Sequence, residues 1–144
     1  MKKSILITSV ALLVTGCAGA SFTVQPLQKS LLAVEKVCVV DNPNMSNDIQ
    51  GLINRTINSR GFTSYPISSP NLVTEVGCEV YLTYGGSTTT DIVSFIDSFN
   101  IAVYDKNHTR IGGSNGKVPN NLSLAKWEAS EKLVVDMVSD VMKK

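Results

Sequence analysis

About a dozen mostly apolar residues, Ser4 to Thr15, follow Lys2 and Lys3 and end at Gly16-Cys17. A short cationic head followed by an apolar stretch of this length is the organisation of a secretory signal segment. As a helix it would be only about 18 Å long, too short to cross the hydrocarbon of a bilayer comfortably. The run limits the fold because residues 1–16 are then not available to it. Of 144 residues 128 remain, enough for one domain with a modest core and not for two.

The end of the run, Val14-Thr15-Gly16-Cys17, resembles the bacterial lipobox: an aliphatic residue, two small ones, then an obligatory cysteine. The resemblance implies cleavage before Cys17, with its thiol thioether-linked to a diacylglycerol and its new amine acylated. Several acyl chains anchor stably, at about 0.8 kcal/mol per buried methylene. Ala18, rather than an aspartate, follows the cysteine. By resemblance to sorting in enteric-type Gram-negative bacteria, this implies the outer membrane, periplasmic face. The expected organisation is a signal peptide over 1–16, a lipidated cysteine and short tether over 17–28, and a single domain over 29–144.

Losing Lys2 and Lys3 from the 13 basic side chains leaves 11 against 12 acidic ones, with no basic block. That argues against a nucleic-acid partner. No later apolar run approaches 18 residues, so no second membrane span is expected. With Cys17 taken by lipid, Cys38 and Cys78 are left as a pair in an oxidising compartment, and a disulfide is the natural inference. Closing a loop of about 41 residues would stabilise the fold by about 4 kcal/mol in the chain-entropy view. Neither cysteine has a neighbouring histidine or a CxxC partner, so a catalytic thiol is not expected.

Glu35–Val40 is short and β-branched, a buried strand stopped by Asp41-Asn42-Pro43. Ser46-Asn47-Asp48 offers caps, and Ile49, Leu52, Ile53 and Ile57 share one helical face, predicting a helix over 47–60 closed by Gly61. Phe62–Ile67 reads as a strand that Pro66 pushes to an edge. Ser68–Gly77 reads as a loop, and Cys78–Tyr84 as a half-buried alternating strand. A long strand over 92–104 is expected to place Phe95, Asp97, Phe99, Ile101 and Val103 on one face. Asp105-Lys106-Asn107-His108 is a hairpin turn, and 109–118 returns as a glycine-rich strand. Ser123 can cap a last helix carrying Leu124, Trp127, Val134, Met137, Val138 and Val141 as its apolar stripe. The order β-α-β-β-β-β-α predicts an α+β two-layer sandwich, a mostly antiparallel sheet with two helices on one face.

No catalytic constellation stands in the sequence. Gly112-Gly113-Ser114-Asn115-Gly116 matches G-x-S-x-G, which works only as a strand-to-helix elbow with its partners after the serine. Here Lys117-Val118-Pro119 follows, and the one histidine, His108, comes earlier. His108 has no cluster of ligand spacing around it, Gly85-Gly86-Ser87 lacks the end of a phosphate loop, and Asp91 and Asp97 read as turn residues. No metal or cofactor is expected.

Lys36-Val37-Cys38-Val39-Val40, Cys78-Glu79-Val80-Tyr81-Leu82-Thr83-Tyr84 and Leu122-Ser123-Leu124-Ala125-Lys126-Trp127 together resemble a family of small proteobacterial outer-membrane lipoproteins. The resemblance spans most of the mature chain and implies a shared fold and disulfide; it carries over no catalytic or binding residue. The element order also looks like the α/β modules of periplasmic lipoproteins in envelope assembly. The expected role is non-enzymatic: binding an envelope protein or glycan, with Phe62–Ile67 or Thr109–Val118 as an edge that accepts a strand. A small hydrolase using Ser114 and a carrier of small ligands or lipid are the alternatives.

Overall fold

The computed structural model describes residues 20–90, 94–119 and 126–144. Cys17, Asp91, Ser123 and Leu124 lie outside them, as does the Trp127 side chain. Six strands form one sheet: β1 (Ser21–Gln25), β2 (Lys36–Val40), β3 (Thr63–Ile67), β4 (Val80–Thr90), β5 (Ser94–Asp105) and β6 (Arg110–Lys117). Their lateral order is β1-β6-β5-β4-β2-β3. The β1–β6, β6–β5 and β5–β4 pairs are antiparallel, and β2 runs parallel to both β3 and β4. The expected α+β architecture holds.

Helix α1 (Asn47–Ser59) starts where the sequence said it should, with the Ser46 hydroxyl accepting from the Asp48 N–H at 3.2 Å. It joins the parallel strands β2 and β3, as a strand–helix–strand unit requires. Helix α3 (Lys126–Val141) packs beside it on the same face. Between them and the sheet lies one apolar cluster: Val37, Val39, Ile53, Leu82, Ile101, Met137 and Val138 are all between 0 and 1 % exposed. Fully burying each such side chain contributes roughly 1.5–3 kcal/mol.

Three expectations are corrected. Ser68–Gly77 is not a plain loop: a 3-10 turn (Pro70–Leu72) leads into the one-turn helix α2 (Val73–Val76). Gly77 ends it in a left-handed conformation, φ 79°, that favours glycine. α2 covers the face opposite α1 and α3, where Val73 packs with Cys38, Val40 and Cys78. β2 is therefore buried on both sides, Val37 and Val39 to one and Cys38 and Val40 to the other, which is why it reads as an unbroken apolar run.

Cys78 also stands apart from the strand predicted to contain it. It precedes β4 and packs on the α2 side, whereas Val80, Leu82 and Tyr84 face α1 and α3.

The third correction concerns β5. Ser87 pairs with Ser98 but Thr88 pairs with Ile96, so Asp97 is an extra residue in a β-bulge. The bulge moves Ile96 onto the core face with Phe99, Ile101 and Val103, and puts Phe95 and Asp97 out of step with them. The Phe95 ring instead lies under the Lys126 ammonium, 4.6 Å away.

The tether expected over 17–28 is in part structure. Ser21–Gln25 is a strand of the sheet, paired residue by residue with β6 from Ser21↔Lys117 to Gln25↔Gly113.

Candidate interaction surface

Cys38 and Cys78 are bonded, with Cα atoms 5.8 Å apart, which places the disulfide beneath α2. The strand registers then set the side chains of this second face in rows. Tyr104, Tyr81, Cys38 and Tyr65 occupy successive strands in one row. The Tyr81 and Tyr104 rings stack with centroids 5.0 Å apart. His108 closes the row from the β5–β6 turn, its Nδ1 3.0 Å from the Tyr81 hydroxyl. Its backbone is left-handed, φ 63°, and the Asp105 carboxylate accepts from the N–H groups of Asn107 and Thr109 to hold the turn. Burial, and then Tyr104 and Asp105, push the Tyr81 phenol above its ordinary value, so it stays neutral. His108 thus serves an aromatic corner.

Toward β1 no helix covers the same face among the described residues. Thr23, Asn115, Asn100 and Gly85 form one row, and Ser21, Lys117, Ser98 and Ser87 the next. They floor an open groove of about 390 Å³ lined by Thr23, Asn100, Asn115 and Lys117 among others. At its end Asp97 accepts from the hydroxyls of Ser87 and Thr89, the latter at 3.0 Å. The Ser87 bond above all holds the Asp97 carboxyl below the usual carboxylate range, against a smaller opposing effect of burial. Asp97 is hydrogen-bonded by hydroxyls, as its neighbourhood suggested, but it sits in the bulge of β5 and not in a turn.

Ser114 is not on an elbow. It lies in the middle of β6, opposite Ile101, is 0 % exposed, and donates its hydroxyl to the Thr23 carbonyl at 2.8 Å. The motif's last glycine is there for space: a Cβ on Gly116 would sit 2.7 Å from Leu133 and 2.8 Å from Met137 of α3. The G-x-S-x-G run is a strand pressed under a helix, and the hydrolase alternative loses its nucleophile. β6 lies between β5 and β1, so it is not the edge expected at Thr109–Val118 either.

The two actual edges differ. At β3, the Thr63 N–H points inward to the Glu35 carbonyl, so the alternate residues 64 and 66 point outward. The Ser64 N–H is taken by the Asn58 side chain at 2.9 Å, and Pro66 has no N–H. That edge offers no donor. At β1, the Thr23 carbonyl is turned to β6 by Ser114, which leaves the backbone groups of Phe22 and Val24 on the outer side. β1 has no proline, no charge and no bulge, and Val24 is 37 % exposed.

No protein-family model matches the chain, and no curated protein matches it. Among solved structures, the fold is similar to that of the PelC dodecamer from Paraburkholderia phytofirmans. That likeness has a TM-score of 0.66 and 11% identity, over 87% of this chain and 99% of that one. A second PelC dodecamer structure aligns at 0.55 and 9%. TolB from Acinetobacter baumannii aligns at 0.53 and 17%, over 86% of this chain but 30% of its own. At these identities the likeness concerns the fold.

Proposed function

We propose that the chain is a lipoprotein anchored through Cys17 at the periplasmic face of the outer membrane, serving there without catalysis as a binding module in envelope assembly. The observation that carries this reading is the position of β1. An unguarded sheet edge opens four residues after the cysteine that the lipobox-like motif marks for lipid. Four residues span at most about 14 Å, so that edge is held against the membrane surface. The helix-covered side supports binding at the surface rather than carriage of a ligand inside, because Ile53, Leu82, Ile101 and Met137 fill the layer between sheet and helices. A protein of this fold occurring as a dodecamer supports assembly as a use of the scaffold.

Metabolic labelling with a fatty acid, followed by membrane fractionation, tests the anchor. The wild-type chain should carry label and sediment with outer membranes, and Cys17→Ala should do neither. A Cys17→Ala chain that still fractionates with the outer membrane would overturn the anchoring. In-cell crosslinking tests the binding role: a chain without any crosslinked neighbour would overturn it.

A further inference from the structure

We infer that β1 pairs with β1 of a second copy of this chain, antiparallel and centred on Thr23, joining two six-stranded sheets into one. The inference deepens the anchored-module reading, on which it rests for its strength.

The pairing follows from what the strand presents. Centring on Thr23 sets Thr23 against Thr23 of the other copy, Phe22 against Val24, and Ser21 against Gln25. The outward backbone groups are those of Phe22 and Val24, so these two residues exchange the hydrogen bonds and Thr23 occupies the close, non-bonded position. On the helix side, Val24, one of two large apolar side chains exposed among the described residues, is covered by the other copy's Phe22. On the open side two threonines meet, a favourable cross-strand pair. No charged side chain lies on the strand, so the two-fold brings no like charges together.

A second copy suits this edge better than a foreign strand because of where the preceding chain leads. Every copy has its β1 within about 14 Å of the same membrane surface, so copies meet at high effective concentration in a thin layer. A five-residue ladder is a small interface, and this confinement is what makes it sufficient. The two-fold axis runs perpendicular to the joined sheet. With that axis along the membrane normal, both anchors leave toward the same bilayer. The guarded β3 edge then matters a second time: the contact is isologous and closes, and the opposite edges cannot extend it into a fibre.

The test is a disulfide across the two-fold. Thr23→Cys in the full-length, membrane-targeted chain should give a dimer on non-reducing gels, at least about tenfold more abundant than that of Arg55→Cys, an exposed α1 position that reports random collision. Thr23→Lys, assayed by amine-independent photocrosslinking, should lower the dimer of the otherwise unchanged chain by placing like charges face to face. Thr23→Cys crosslinking no better than Arg55→Cys, in whichever fraction the chain is found, overturns the pairing. Loss of both variants from the membrane fraction with the crosslink retained overturns only the anchoring.

Discussion

The β3 edge and the β1 edge of this sheet are built from the same kind of five-residue strand and have opposite chemistry. Around β3, both faces of the neighbouring β2 are covered, a disulfide crosses beneath α2, and each outward donor is taken or missing. Around β1, among the described residues, no helix covers one face, no covalent link is present, and the outward backbone groups of Phe22 and Val24 have no partner. Among the described residues, one end of the sheet has its outward donors occupied or missing and the other does not. The contrast teaches that the chain places its disulfide-stapled rigidity at the β3 end of the sheet and its less protected edge at the end nearer in sequence to Cys17.

Removing the lock should have the largest effect on this contrast. Cys38→Ser with Cys78→Ser should lose about 4 kcal/mol in urea unfolding, because the 40-residue separation closed by the bond no longer restrains the unfolded chain. Equal midpoints with and without reductant would break the claim that the β2–β3 half is stapled. Next is Gly116→Val, which forces a side chain into Leu133 and Met137 and should cost about 1–3 kcal/mol of thermal stability. Full stability would mean that α3 does not press on β6.

The third probe is Asp97→Asn. The folded carboxyl titrates below its ordinary value, so the unfolded chain takes up the proton first as pH falls. The stability Asp97 contributes is present above about pH 4 and is lost as pH drops through the lowered folded value. At a largely solvent-accessible position this is less than about 1 kcal/mol. The wild-type advantage over the variant should vanish in acid; a constant difference down to pH 2 would refute the assignment. The smallest change in stability, within about 0.5 kcal/mol, belongs to Pro66→Thr combined with Asn58→Ala. Its readout is size: restoring donors to the β3 edge should convert a closed species into longer oligomers in gel filtration, and an unchanged profile would show that this guard is idle.

The β2–β3 half was legible in the sequence because its signals are local and mutually consistent. Ser46 with Asp48, the Ile49–Ile57 stripe and the unbroken Val37–Val40 run each demand one structure. Cys38 and Cys78 were paired by elimination once Cys17 had a use. The β1 half was hidden for two physical reasons. Ser21-Phe22-Thr23-Val24-Gln25 alternates apolar with polar, as a strand does, but five residues next to an anchoring motif also satisfy a tether. The Asp97 bulge cannot be seen in a pattern, because Phe95, Asp97, Phe99, Ile101 and Val103 keep perfect spacing in sequence while the structure breaks it between Phe95 and Phe99. The aromatic corner of Tyr65, Tyr81, Tyr104 and His108 escaped notice because its members come from distant segments joined only by register.

That bulge makes the β4–β5 hairpin behave like two gears meshed one tooth apart. After Asp97 the odd-numbered Phe99, Ile101 and Val103 drive into the core, and before it the even-numbered Ile96 does. Replacing Asp97 leaves the teeth in place. Deleting it would leave Ser87 opposite Ser98 and Thr88 opposite Ile96 in an unbroken ladder, with Ile96 still on the core side. Straightening the strand with all its residues kept would instead turn Ile96 to water. At this position the length of the chain therefore carries more structural information than the identity of the residue.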